Sequence, residues 1–512
     1  MKLATTRSVT LIGVKGAVID IEVHIGGMPG FYMVGLPDVS LHEARERVRA
    51  AVLSSHEEWP LQRITVNLSP ASLPKKGSQF DLGLAVAILA ADGDVPPMAT
   101  KDVVYVGELA LDGRVRPVVG VLAAVLAAAA AGVQRVVVPE ANAAEARLVP
   151  DVSVLGVRSL AHLLALLRGE PVPDEPELER EDLPQTQWGT ADESVDMNEI
   201  AGQLEVKRAV EIAAAGRHHL LLNGAPGSGK TMLAARLPGL LPDLSTRESL
   251  EVSSIHSVAG ALAADQPLVT RPPLAAPHHS ASMAAVVGGG GRTIRPGSAS
   301  IAHRGVLFLD EAPEFRAGVL DSLREPLESG SVVIARVEAT ASLPARFQLV
   351  LAANPCKCGY HGSVERDCTC PPDTVRRYGN KISEPVRDRI DMHLPVQLPN
   401  LATLEEDLAG AEPTKVIAER VAEARERARV RLAGSQWQVN GDVPGPALRR
   451  HFPVPAAVAD RAQRFVTKGA LTARGATRVL GVAWTIADLE GHDHPTIADV
   501  GEAIGLRLGR LP

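Results

Sequence analysis

The sequence predicts an α/β protein of two folded units, the second built on a parallel sheet and followed by a helical tail. Three observations carry this. Strand-like apolar runs alternate with helix-like runs both before and after residue 171. A glycine loop, GAPGSGKT at residues 224–231, follows the apolar run Leu220, Leu221, Leu222 and leads into helical sequence. From about residue 400 the chain becomes a helical tail rich in Ala and Arg.

The 512 residues allow about three domains. With 46% hydrophobic and 22% charged residues the chain can bury full cores, which excludes wholesale disorder. Only 15 residues are aromatic, so stacking cannot be the main binding mode throughout. The N-terminus, MKLATTRSVTLIG, has no apolar signal core. The Ala-rich stretch 118–133 is too short and too weakly apolar to span a bilayer, so a buried helix is expected there. A cytoplasmic protein with no membrane partner follows.

Within residues 1–170, strands are expected at 64–68 (ITVNL), 103–107 (VVYVG) and 135–139 (RVVVP), with helices at 41–54 and 80–91. A linker is expected at 171–196. Residues 171–199 hold ten acidic residues, one basic residue (Arg180) and four prolines, with no apolar periodicity. The net charge of −7 at first argues against nucleic acid, but this segment alone carries −9, leaving the rest of the chain at +2. A flexible linker of this length spans about 25–30 Å and would let the flanking units move independently.

The glycine loop fits G-x-x-x-x-G-K-[ST]. Gly224, Ala225, Pro226, Gly227, Ser228 and Gly229 let backbone N–H groups face phosphate oxygens, and the helix start adds positive dipole. Lys230 would neutralise the β- and γ-phosphates of ATP, and Thr231 would ligate Mg²⁺. About 80 residues on, the buried run Val306, Leu307, Phe308, Leu309 ends at Asp310 and Glu311. Asp310 could reach the Mg²⁺, and Glu311 could orient or deprotonate a water, which points to hydrolysis rather than binding alone. A third strand, FQLVLAAN, ends at Asn354, placed to position that water.

All four cysteines lie within 356–370, as Cys356-x-Cys358 and Cys368-x-Cys370, the wrong distribution for a disulfide-stapled secreted protein. They could bind a structural, tetrahedral Zn²⁺ with no open position, and His361 is a substitute ligand. Four reduced thiols in a tight turn is the alternative. His278 and His279 make a poor chelate, because adjacent side chains point apart on regular backbone.

Glycine loop, Asp-Glu strand and strand-end Asn, in that order, resemble the AAA+ ATPases. RPPLAAPHHSAS (271–282), VVGGGG (286–291), RPGSASIAHRGVLFLDEAPEF (295–315), AANPCKCGYHG (352–362), VRDRIDMHLPV (386–396) and LTARGATRVLGVAWTIADL (471–489) are similar to the magnesium-chelatase-like branch, and within it to the YifB/ComM proteins over the whole length. The resemblance implies an AAA+ core at 197–400 with a Cys-rich loop at 356–370, and a helical lid at 401–512. It implies Walker A roles for Lys230 and Thr231, Walker B roles for Asp310 and Glu311, and a sensor 1 role for Asn354. Arg389 would be the arginine finger that completes a neighbouring subunit's site, and Arg474 would be sensor 2. Residues 1–170 resemble the Lon-protease-type fold (α+β, ribosomal S5 domain 2-like), through PKKGSQFDLGLAVAILA (74–90) and GELALDGRVRPVVGVLAAVLAAAAAGV (107–133). That protease uses a Ser–Lys dyad. Gln79 and Ala123 stand at its positions, and Ser78 has no matching Lys, so proteolysis is rejected. Ala275 replaces the Arg usual in the branch's FRAPHH motif.

The family implies a hexameric, ATP-driven helicase that promotes branch migration of DNA in natural transformation. Gly288 to Gly291, with Arg292 and Arg295, form a candidate DNA hairpin, and Arg420, Arg425, Arg427, Arg429 and Arg431 lie on one basic helix interleaved with Glu. One alternative is a chelatase motor inserting Mg²⁺ into a porphyrin. Against it stand the Lon-like unit and the lack of a D-x-S-x-S motif. A remodelling factor for another substrate is a third reading.

Overall fold

In a computed structural model the described residues are 2–35, 39–75, 77–173, 195–263, 265–290, 294–336, 340–363, 366–398 and 404–510. Most of the expected acidic linker lies outside them.

The N-terminal unit is a mixed seven-stranded sheet. Its strand order is Gly30–Val34, Arg63–Ser69, Lys15–Ile25, Lys2–Ile12, Val103–Tyr105, Arg135–Pro139, Ser153–Val157. The alternation of Lys15–Ile25 sends Ile19, Ile21, Val23 and Ile25 to one face, beneath the helix Asp81–Asp92. Val18 goes to the other face, beneath the Ala-rich helix Val121–Ala130, whose small side chains permit close packing on the sheet. Strands expected at 64–68 and 135–139 are present as Arg63–Ser69 and Arg135–Pro139, and that at 103–107 is trimmed to Val103–Tyr105. The two long strands Lys2–Ile12 and Lys15–Ile25 were not anticipated, because Thr, Ser and charged residues interrupt their apolar pattern.

The second unit is a five-stranded parallel sheet in the order Leu274–Ala275, Val306–Leu309, Gln348–Ala353, Leu220–Asn223, Met392–Pro395. Its strands are mostly apolar because both faces are covered, with polar residues such as Asn223 and Gln348 at strand ends. Leu220 and Leu222 enter one core, and Leu221 enters the other. The helices Thr414–Arg431, Ala473–Glu490 and Ile497–Leu508 form the tail, and Ile417, Val479 and Ile504 share the core of Leu220 and Leu222. The lid is thus packed on the strand that leads into the glycine loop. Ala275 is fully buried at the sheet edge.

The two units are docked, contrary to the independent motion a flexible linker suggests. Gly120 N–H donates to Ser257 O at 3.1 Å, and Ser257 Oγ donates to Glu145 Oε2 at 2.6 Å. Leu250 of the helix Thr246–Ala259 packs into the N-terminal core, and Val14 packs into the core of the second unit. A second feature escaped the sequence reading. Ser331–Ala335 and Thr340–Pro344 pair as an antiparallel hairpin, whose buried-exposed alternation marks one face against the core. Among the described residues no helix is long and apolar enough to cross a membrane.

Candidate active site

The site forms where the parallel strands Leu220–Asn223, Val306–Leu309 and Gln348–Ala353 end side by side, at the carboxyl edge where open α/β sheets bind ligands. The first runs into the glycine loop. Gly224 is obligatory there: a Cβ would fall 2.2 Å from Val396 O and 2.7 Å from Ser228 Oγ. Lys230 Nζ lies in the mouth of the loop, donating to Gly224 O and Ala225 O at 2.8 Å each. Burial lowers its pKa, with Asp310 and Glu311 opposing that shift. Gln203 was missed by the sequence reading, since an isolated Gln carries no motif. It donates to Ser228 O at 2.9 Å and so pins the loop from outside.

Thr231 Oγ1 donates to Asp310 Oδ2 at 2.8 Å. A hydroxyl and a carboxylate oxygen held together next to the loop lysine are the hard donors that suit Mg²⁺. Glu311 follows in the left-handed region, with φ +51°. A Glu seldom adopts that conformation, and such strain collects at functional sites. It turns the carboxylate toward His279, whose Nδ1 lies 3.1 Å from Glu311 Oε2. The His278 and His279 rings do not point apart. Their centroids are 4.0 Å apart, because the segment is an irregular turn rather than regular backbone. His279 is therefore a partner of Glu311 that the sequence reading set aside. Asn354 lines one cleft with Asn223, Arg387 and His393.

Arg389 and Arg474 converge on Glu328. Arg389 is 6% exposed, with Nη2 at 2.5 Å from Glu328 Oε1 and Nη1 donating to Pro385 O at 2.7 Å. Arg474 Nη2 lies 3.4 Å from the same oxygen, and its Nη1 lies 3.3 Å from Asp388 Oδ2. Arg478 pairs with Asp391 at 3.1 Å, so the lid grips the Asp388-Arg389-Ile390-Asp391 motif at both ends. Burial pushes the Asp391 pKa up, but the Arg478 guanidinium, His218, and the ring and backbone N–H of His219 together outweigh it, so the carboxyl titrates below its ordinary range.

The four cysteines gather. Their sulfurs lie within 4.8 Å of one another, with Cys356–Cys358 at 3.2 Å and Cys368 at 3.6 Å from both. All four are free thiols. The backbone N–H of Tyr360 and the Cys356 thiol pull the Cys358 pKa down to about 5. His361 is exposed and outside the cluster.

Of the DNA candidates, Gly289 and Arg295 exchange N–H···O bonds at 3.1 and 2.8 Å, closing the base of a hairpin; Gly291 and Arg292 lie outside the described residues. Arg295 and Arg336 are exposed, and a Cβ on Gly289 would lie 3.8 Å from Arg336 Nη2, so the two hairpins adjoin. The basic helix is committed internally. Arg420 pairs with Glu211 and Glu412, Arg429 with Glu426 and Arg431 with Asp488, while Arg425 and Arg427 donate to backbone carbonyls. In the N-terminal unit Gln79 Nε2 donates to Val9 O at 2.9 Å, Ala123 is buried, and Ser78 hydrogen-bonds Glu108.

This strand order, with Walker A and B groups and a polar residue at adjacent strand ends, defines an AAA+ protein of the magnesium-chelatase-like branch. Residues 196–404 match the model "Magnesium chelatase, subunit ChlI", 411–507 its C-terminal model and 19–142 "Subunit ChlI of Mg-chelatase". The chain belongs to the YifB/ComM family. It is 39% identical to Escherichia coli YifB over 99% of this chain and 97% of that one. It is 39% identical to Haemophilus influenzae competence protein ComM over 99% and 98%. An uncharacterized protein of Mycobacterium tuberculosis is 48% identical over 99% of both chains. About a third of the chain is 30% identical to a Lon protease of Rhizobium meliloti, over 20% of that enzyme.

Proposed function

We propose that the chain is an ATP-hydrolysing ring motor, hexameric and cytoplasmic, that acts on DNA as a branch-migration helicase. The observation that supports the DNA reading is the pair of adjoining hairpins with exposed Arg295 and Arg336. The Ser331–Ala335 hairpin ends four residues before the strand Gln348–Ala353, at the opposite end from Asn354. A change at the nucleotide edge therefore travels along one strand to arginines that can contact phosphates. The similarity to ComM, a competence protein, fits DNA handling.

In this reading Lys230 and the loop N–H groups hold the phosphates, and Thr231 and Asp310 hold Mg²⁺, which supplies positive charge to them. Glu311 accepts a proton from the attacking water, His279 holds that carboxylate in place, and Asn354 orients the water. Arg389 serves a neighbouring subunit's site, leaving Glu328 to do so, and Arg474 brings the lid to the nucleotide. The four thiols hold a structural Zn²⁺. The test is ATP hydrolysis and strand displacement with forked or three-stranded DNA. Stimulation and displacement that vanish in Glu311→Gln are expected, and their absence from the wild type overturns the DNA reading.

A chelatase-type motor is the second reading, favoured by the descriptions of the three family models. The N-terminal unit no longer counts against it, since one of those models covers 19–142. The missing D-x-S-x-S motif still does. Porphyrin metallation with partner subunits would decide for it.

A further inference from the structure

The cysteine loop sits between the two halves of the nucleotide site. It starts two residues after Asn354, and the helix Pro372–Gly379 starts two residues after Cys370. Inside it, Gly359 has φ +89° and lies flat against the Walker A loop: a Cβ there would fall 2.5 Å from Pro226 Cδ and 2.6 Å from Pro226 Cγ. On the far side Tyr378 is buried, and Lys381 bridges its ring, at 5.3 Å, to Glu314, at 3.5 Å and three residues after Glu311. Arg366, beyond the turn, caps the Tyr360 ring at 4.8 Å. The loop thus touches the Walker A loop directly, and the helix that follows it reaches the segment after Walker B.

The sulfur geometry says what could fix that loop. A tetrahedral ion with metal–sulfur bonds of about 2.3 Å sets its sulfurs about 3.8 Å apart. The spacings of 3.2, 3.6 and 3.6 Å lie near that edge and far from the length of a disulfide, about 2.05 Å. Four sulfurs fill a tetrahedron and leave no open position, so the ion would be structural. Thiolate ligands select a soft or borderline ion such as Zn²⁺.

We propose that Cys356, Cys358, Cys368 and Cys370 bind one zinc-class ion, and that this ion braces the Walker A loop through the contact of Gly359 with Pro226, so that metal occupancy sets nucleotide affinity. This rests on the nucleotide site proposed above. Without the ion Gly359 keeps its N–H bond to Cys356 O at 3.0 Å and the Arg366–Tyr360 contact, but the four sulfurs lose the bonds that lock the loop, and the Walker A backbone loses a rigid outer support.

The test uses the full chain, zinc alone as the metal probe, and a fluorescent, non-hydrolysable ATP analogue, without DNA. About one zinc per chain is expected, lost in Cys358→Ser. Zinc removal by a chelator under reducing conditions should weaken analogue binding by about 5- to 150-fold, the usual range for coupled sites. Far-UV circular dichroism should stay unchanged. In Pro226→Ala zinc should still bind, but loaded and stripped protein should bind the analogue alike, whatever the absolute affinity. Failure to take up zinc, equal affinity of loaded and stripped wild type, full metal dependence in Pro226→Ala, or wholesale unfolding on zinc removal would each overturn the proposal. Missing DNA stimulation would leave it standing. Loaded wild type that binds no analogue would bring down both readings.

Discussion

The N-terminal and ATPase units are both sheets with apolar residues buried on two faces, yet their edges carry different side chains. In the ATPase unit the strand ends carry Lys230, Thr231, Asp310, Glu311 and Asn354, and these groups touch one another or share one edge. In the N-terminal unit the corresponding protease positions carry Gln79 and Ala123, an amide tied to Val9 O and a methyl in the core. The two units therefore differ in the side chains at these positions, while both rest on buried apolar layers. The cores say little about activity.

The sharpest way to break this contrast is to disable the ATPase edge at its outermost residue. Arg389→Ala is expected to lower kcat by about 10³- to 10⁵-fold. Mixed with Lys230→Ala subunits, it should regain partial activity, because each variant complements the other across a ring interface. If mixing restores nothing, Arg389 is only the buried partner of Glu328 that it is within one chain. Glu311→Gln should cost about 10²- to 10⁴-fold in hydrolysis while retaining ATP binding. His279→Ala should fall well short of that and act on kcat more than on KM. A His279→Ala enzyme with unchanged kcat would reduce the 3.1 Å contact to a surface pair.

These residues differ in how legible they are. The Walker groups and Asn354 follow from local spacing, since each sits in a short contiguous stretch: strand and glycine loop at 220–231, apolar strand and acidic end at 306–311, and the strand ending at Asn354. His279 and Glu311 are 32 positions apart and meet only because Leu274–Ala275 and Val306–Leu309 are neighbouring strands. Glu328 is invisible for the same reason: it joins Arg389 and Arg474 from separate parts of the chain. The fate of four of the five arginines of Thr414–Arg431 depended on acceptors elsewhere, in Glu211, Ala214, Glu412 and Asp488, whereas Arg429 pairs with Glu426 on its own helix. The cysteine cluster was legible in sequence, but its contact with Pro226 was not.

Acid should separate the two units. In the ATPase unit burial pushes His218 down to about 4 and His219 to about 3, both below the usual value for a free imidazole. Below pH 6.5 the unfolded chain takes up protons that these buried rings refuse, so stability falls as pH drops toward 4. The loss is about 2 kcal/mol per histidine at pH ~5. In the N-terminal unit burial raises Asp81 to about 6 despite its pairing with Arg47, and it raises Glu145 as well. Those carboxyls take up protons in the folded state before the unfolded chain does, so acidification from pH 6 stabilises that unit. Hydrogen exchange at pH 7 and at pH ~5 should show protection lost first around Leu220–Asn223 and Met392–Pro395, and held in Lys15–Ile25. Uniform loss across both sheets would contradict the assignment.

The smallest effect expected concerns the seam between the units. Ser257 Oγ donates to the buried Glu145 carboxylate, which also accepts from Asn142 Nδ2 at 2.7 Å and Leu122 N–H at 3.3 Å. Ser257→Ala removes one of three donors and leaves the carboxylate buried. The expected cost is about 1–2 kcal/mol, typical of a hydrogen bond to a charged group that loses its partner. It should appear at neutral pH and shrink as acid protonates Glu145, whose pKa burial already raises. If the units fold as one body, the variant lowers a single melting transition. If they fold separately, it lowers neither transition but lets the N-terminal unit part from the rest once a protease cuts the linker. A cut wild type that stays together while the cut variant separates would show that this seam holds the N-terminal unit against the ATPase unit.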